Sequence, residues 1–120
     1  METKDLTFVD ILGIEDKSIV RHFVEQWNGN VYIRNMSAKE RSEIEDLYMK
    51  ISESKRDTGK FRKELIRRAL VDKEGNSLIA DDAMAEHIMG KSALAIESIF
   101  EVACEVNGFR QKDVDMLKKK

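Results

Sequence analysis

Apolar residues recur along most of this chain at helical spacing. Phe8, Ile11 and Leu12 stand at i, i+3 and i+4, which predicts a short helix that Gly13 can end. Ile44, Leu47, Tyr48 and Ile51 repeat the stripe over a helix of about residues 38–52. Ahead of it, Ser37 and Glu40 have the spacing of a capping box, in which each side chain bonds the other's backbone amide. Phe61, Leu65, Ile66, Ala69 and Leu70 predict a second long helix with Arg62, Lys63 and Arg67 turned outward. Asp81 or Asp82 caps a short helix that carries Met84, His87 and Ile88 and stops near Gly90. A last long helix covers about residues 92–107. Ala95, Ile96, Ile99, Phe100 and Ala103 lie on its apolar arc, and Glu97, Glu101 and Glu105 lie opposite.

The exception to this rhythm is 18–35, which reads as a β-hairpin. Ile19, Val20, Phe23 and Val24 precede Asn28-Gly29, and Val31-Tyr32-Ile33 follow it. With Asn28-Gly29 as a two-residue turn, Trp27 pairs with Asn30 and Val24 with Ile33. Val24, Val31 and Ile33 then share one face, and Phe23, Glu25, Trp27, Tyr32 and Arg34 share the other. The polar stretch 52–59 reads as a connection and 72–76 as a turn. Residues 77–79 read as a short third strand or an extended link.

These elements describe a single domain over residues 1–120, of the α+β class and predominantly α-helical, with four to five helices and one β-hairpin. Composition agrees: proline is absent, so only glycine and turn residues break helices. Residues 1–15 are an N-terminal segment, docked or mobile; they are too apolar for a free tail, and docking on the body is the expectation. Residues 110–120 are a C-terminal tail. No apolar run approaches the ~18 residues of a membrane span, and the first residues lack the pattern of a secretory signal. Cys104 alone cannot form a disulfide within the chain. A cytoplasmic protein is expected.

Charge is abundant, at 37% of residues, but the net is only −2. It is also blocked: 53–73 carry eight bases against four acids, whereas 74–105 carry seven acids against one base. Solvated helix faces account for such blocks. The basic stretch 55–68 also raises the reading of a small nucleic-acid-binding regulator, against which the sequence pI of 5.8 weighs.

Catalytic groupings are hard to assemble. His22 and His87 are far apart in sequence, Cys104 sits in the apolar arc of its helix, and adjacent Asp81 and Asp82 are explained by capping. Neither an enzyme activity nor a cofactor or metal is expected. The six methionines and Trp27 point toward partner binding, although core filling is the plainer role for most of them. The candidate partner-binding residues are Trp27, Met84, Ile88 and Met89, as an apolar groove beside the hairpin.

Several ordered motifs together resemble a known family. They are Phe8-Val9-Asp10-Ile11-Leu12, then Trp27-Asn28-Gly29-Asn30-Val31-Tyr32-Ile33-Arg34, then Met36-Ser37-Ala38-Lys39-Glu40-Arg41. Leu70-Val71-Asp72-Lys73-Glu74-Gly75-Asn76 and the run from Lys91 to Ala103 follow. Their order and spacing resemble the tail assembly chaperones of long-tailed bacteriophages, over nearly the whole chain. The resemblance implies a non-enzymatic protein that binds the tape measure protein, keeps it soluble and helps tail tube subunits polymerise around it. It implies action in the cytoplasm of the bacterial host and absence from the mature virion. It also implies a longer, frameshifted form that recruits the tail tube protein. Leu117-Lys118-Lys119-Lys120 would be encoded by an adenine-rich stretch, which suits a slippery site and equally suits a solvated tail. A homo-oligomer is compatible with such a role. No catalytic residue carries over.

Overall fold

A computed structural model describes residues 3–54 and 58–109. The order of elements is α1 (Phe8–Leu12), β1 (Ile19–Val24), a 3₁₀ turn (Glu25–Trp27), β2 (Gly29–Arg34), α2 (Ala38–Ser54), α3 (Thr58–Ala69), β3 (Leu70–Val71), α4 (Asp82–Met89) and α5 (Ala93–Val106). The class is α+β and mainly helical, as the periodicities predict.

The hairpin is real, but its register differs from the expected one. Val24 pairs with Gly29, His22 with Val31 and Val20 with Ile33. The connection is the 3₁₀ turn plus Asn28, which takes up the left-handed conformation at φ 48°. Glu25 and Trp27 therefore leave the ladder, and the pairing slides by four residues. An even slide returns every side chain to its original face. Val24 and Ile33 are still fully buried together.

A third strand completes the sheet in the order β1-β2-β3, all antiparallel. It is Leu70–Val71, not 77–79; Ser77 contributes only an isolated bridge to Val71. Both strand residues are buried. The turn between Val71 and Ser77 is built on Asp72, whose side chain accepts the amides of Glu74 and Asn76 at 2.9 and 3.0 Å. These amides hold its carboxyl below the ordinary carboxylate range. Gly75 sits at φ 92°, a conformation that disfavours any side chain.

Helix α5 lies under the hairpin and α3 packs against α5, α2 and α4. Phe61 of α3 is the centre of this core. Its ring meets Phe100 edge-on at 5.8 Å and Phe109 edge-on at 5.7 Å. Phe109 is held there by the end of α5. Its amide bonds the Cys104 carbonyl and the Gly108 amide bonds the Glu105 carbonyl, with Gly108 at φ 73°, a Schellman cap. The predicted capping box of α2 is present, with Ser37 Oγ accepting the Glu40 amide at 3.2 Å. Asp81, not Asp82, caps α4 by accepting the Met84 amide.

Of the predicted 52–59 connection, 52–54 belong to α2 and 58–59 to α3, and 55–57 lie outside the described residues. The side chains of Tyr48 and Ile51, and the whole tail 110–120 with its Leu117–Lys120 end, also lie outside them.

Candidate partner-binding surface

The N-terminal segment forms its helix but does not dock on the body. In α1, Phe8 is 74% exposed, Val9 75% and Leu12 69%; Leu6, Ile11 and Ile14 are also exposed. The expectation of docking assumed that so many apolar groups would find the domain's own core. That core is already closed by α3, α5 and the sheet.

What holds α1 in shape is local. Thr7 Oγ1 accepts the Asp10 amide at 3.2 Å, and Asp10 accepts the Thr7 amide at 3.0 Å, so both orphan donors are satisfied. The Thr7 amide draws the Asp10 carboxyl below its ordinary range, helped by the Thr7 hydroxyl and by Lys4 at 3.3 Å. Gly13 receives the end of the helix by bonding back to its carbonyls. Asn35 then ties the following residues down. Its Oδ1 accepts the Ser18 amide at 2.8 Å and its Nδ2 donates to the Asp16 carbonyl at 3.1 Å. The helix thus hangs from the edge of the sheet on a short strap, 13–17.

Strand β1 extends this exposed surface. Among the described residues it is an edge strand. The Asn35 amide donates to the Ser18 carbonyl at 3.1 Å, so 18, 20, 22 and 24 turn their backbone groups toward β2. The amides and carbonyls of Ile19, Arg21 and Phe23 then point to the open edge. Ile19, Val20 and Phe23 are 41, 39 and 52% exposed. Among the described residues, nine of the twelve large apolar side chains that are exposed therefore fall between residues 6 and 23. Such concentration makes this the candidate interaction surface. The signal in the sequence was the apolar density of the first fifteen residues; what sequence reasoning missed was that β1 would share in it.

The residues proposed from sequence sit elsewhere. Trp27 is half-buried against the core in the 3₁₀ turn, which packs on α5. Helix α4 packs on α3 and carries Met84, 41% exposed, with Ile88 and Met89 half-buried. Trp27, Ile88 and Met89 all pack against the same core. Met89 lines two adjoining shallow hollows, of about 470 and 240 Å³. Their rims carry Lys60, Lys63 and Glu86 on one side and Arg62, Lys91 and Glu97 on the other.

The basic helix α3 is matched by acids of this chain. Lys63 Nζ lies 2.7 Å from Glu86 and 3.0 Å from Asp82; Arg62 pairs with Glu97, Arg67 with Glu64 and Asp82, and Arg68 with Glu43. Hydrogen bonds to Glu86 and Asp82 push the Lys63 ammonium above its ordinary value, and Lys63 lowers Asp82 in turn. The opposite-charge blocks in the sequence are therefore neighbours in the fold. Lys55 and Arg56, the start of the basic stretch, lie outside the described residues.

Residues that stood out for chemistry take structural positions. His22 Nε2 meets Ser98 Oγ of α5 at 2.6 Å, and Cys104 is buried. Among the described residues no three His, Cys, Asp or Glu side chains are grouped to hold a metal ion, and no helix is long and apolar enough to cross a membrane.

Comparison with known proteins returns no family model, no curated protein and no solved structure that matches this chain.

Proposed function

We propose that this protein is a non-enzymatic binding module that acts as a phage tail assembly chaperone, holding the tape measure protein while the tail tube is built around it. The observation that carries the reading is the exposed apolar surface of α1 and β1, which no other described residue covers. A tape measure protein is long and helical, and bares apolar stripes until the tube encloses it. A preformed short helix joined to an open strand edge offers such a client both side-chain burial and backbone pairing. Each contact is small, so release stays possible, and many copies along one client supply the strength. The order of motifs in the sequence, which resembles that of the tail assembly chaperones, supplies the identity of the client. The work is done in the cytoplasm of the bacterial host, and the chaperone leaves before the virion is complete. A longer, frameshifted form brings the tail tube protein.

Co-expression with the tape measure protein encoded in the same genome tests this. The expected result is that the client becomes soluble and co-purifies, and that Phe8→Asp with Leu12→Asp abolishes both. A client that is soluble alone, or that is held equally well by the double variant, refutes the reading. The nucleotide sequence tests the longer form separately: it requires a slippery heptamer followed by an overlapping frame.

A further inference from the structure

The exposed surface raises the question of what covers it before a client arrives. We infer that a second copy of this chain does, by exchange of arms: α1 of each copy lies on the β1 side of its partner's sheet. The inference rests on reading α1 and β1 as the adhesive surface, and it needs no client.

Three observations point to a second copy. The first is chemical. The transferred residues 3–12 carry Asp5 and Asp10 against Lys4, which pairs with Asp10, so the arm has one acid, Asp5, in excess. Arg21 stands in the middle of the open strand, exposed, and has no ion-pair partner among the described residues. Arm and strand are thus complementary in charge as well as in grease. The second is negative. Direct edge-to-edge pairing of two β1 strands in the fullest register would set Arg21 against the partner's Arg21, and like charges directly opposite disfavour it. An arm from the other copy brings acid to that position instead. The third is size. At roughly 100 Å² of exposed surface for each of nine apolar side chains on each copy, complete cover would bury at most about 1,800 Å², and partial cover still reaches the ~1,200 Å² lower end of a stable pair. The arrangement is two-fold, each arm meeting the same surface on the other copy, so it closes at a dimer and leaves no adhesive face to propagate. The strap 13–17, with Gly13 at its start, is the hinge across which the arm is handed over.

Sedimentation equilibrium of the full chain alone provides the test. The expected result is a mass twice the 13.9 kDa of the chain at micromolar concentration. Phe8→Asp with Leu12→Asp, which spoils the arm, and Phe23→Asp, which spoils the sheet, are each expected to raise the dissociation constant at least tenfold. Arg21→Glu serves as a second sheet variant should Phe23→Asp lose its fold by circular dichroism. Mixing the arm variant with the sheet variant decides the geometry. In an exchange the mixture keeps one intact arm on one intact sheet, and association partly returns. A monomeric wild type overturns the inference, as does a dimer that ignores the arm variant. A mixture that regains nothing also overturns it, because the contact would then be arm to arm or edge to edge.

Discussion

Asn107, at the end of α5, accepts the amide of Met36 through its side-chain oxygen at 2.6 Å. Its Nδ2 donates to the Ala103 carbonyl at 2.9 Å and to the Arg34 carbonyl at 3.3 Å. It is the one buried polar residue recorded among the described residues, and it joins the last helix to the link between β2 and α2. Asn107→Ala leaves the Met36 amide and two carbonyls without that partner, and a loss of about 2–3 kcal/mol is expected in urea unfolding. Asn107→Asp keeps the acceptor and loses the donor, so its loss should be distinctly smaller at low pH, where the acid is protonated.

A second prediction concerns pH. Arg34 grips Glu40 with two bonds, of 3.0 and 2.7 Å, while its Nε donates to the Arg68 carbonyl. The Arg34 bonds, with lesser help from the Ser37 amide, pull the Glu40 carboxyl from 4.5 down to about 2. A folded value below the unfolded one means that the stabilisation is complete above pH 4.5 and disappears as acid takes the pH toward 2. The Glu40 side chain is 32% exposed, so screening trims the effect to about 1 kcal/mol. Glu40→Gln should be less stable by that amount at pH 7, and the two unfolding curves should converge near pH 2.

Phe61 is 1% exposed and touches two other rings. Phe61→Ala opens a cavity at the junction of α3, α5 and the α5 cap, and a loss of about 3–5 kcal/mol follows. Calorimetry should show a large fall in melting temperature. Phe8→Asp, by contrast, changes a side chain that touches little of the body and should leave stability within about 0.5 kcal/mol. A large loss there would mean that α1 is part of the core after all.

In the ion pairs along α3 the bases are half-buried, but the carboxylates of Glu43, Asp82 and Glu86 are exposed and screened, so these pairs define charge pattern more than stability. Lys63→Met should alter the unfolding free energy by less than about 1 kcal/mol. Because the partners of Arg62, Lys63, Arg67 and Arg68 come from the same chain, mobility-shift assays at low salt should show no retardation of DNA or RNA. Retardation that fades with salt would revive the nucleic-acid reading.

Helices were the legible part of this sequence, because their stripes and caps are local. The Ser37–Glu40 box, the Asp81 cap and the Gly90 and Gly108 stops all follow from residues a few positions apart. Strand β3 was not legible. Leu70 continues the α3 stripe at four residues from Ile66, and a two-residue strand buried on both faces shows no alternation. The hairpin register was obscured for a related reason. Asn28 was recognisable as a turn residue, but nothing local distinguishes a two-residue turn from a 3₁₀ turn that ends on Asn28. The candidate surface was half legible. Apolar density marks α1, whereas the exposure of Val20 and Phe23 depends on β1 being an outer strand, which only the order of the sheet decides.

The clasp between His22 and Ser98 spans most of the described chain. A nascent hairpin emerging from the ribosome therefore shows its greasy underside until α5 is synthesised. Messages cut before codon 93 should yield fragments that proteases and aggregation remove.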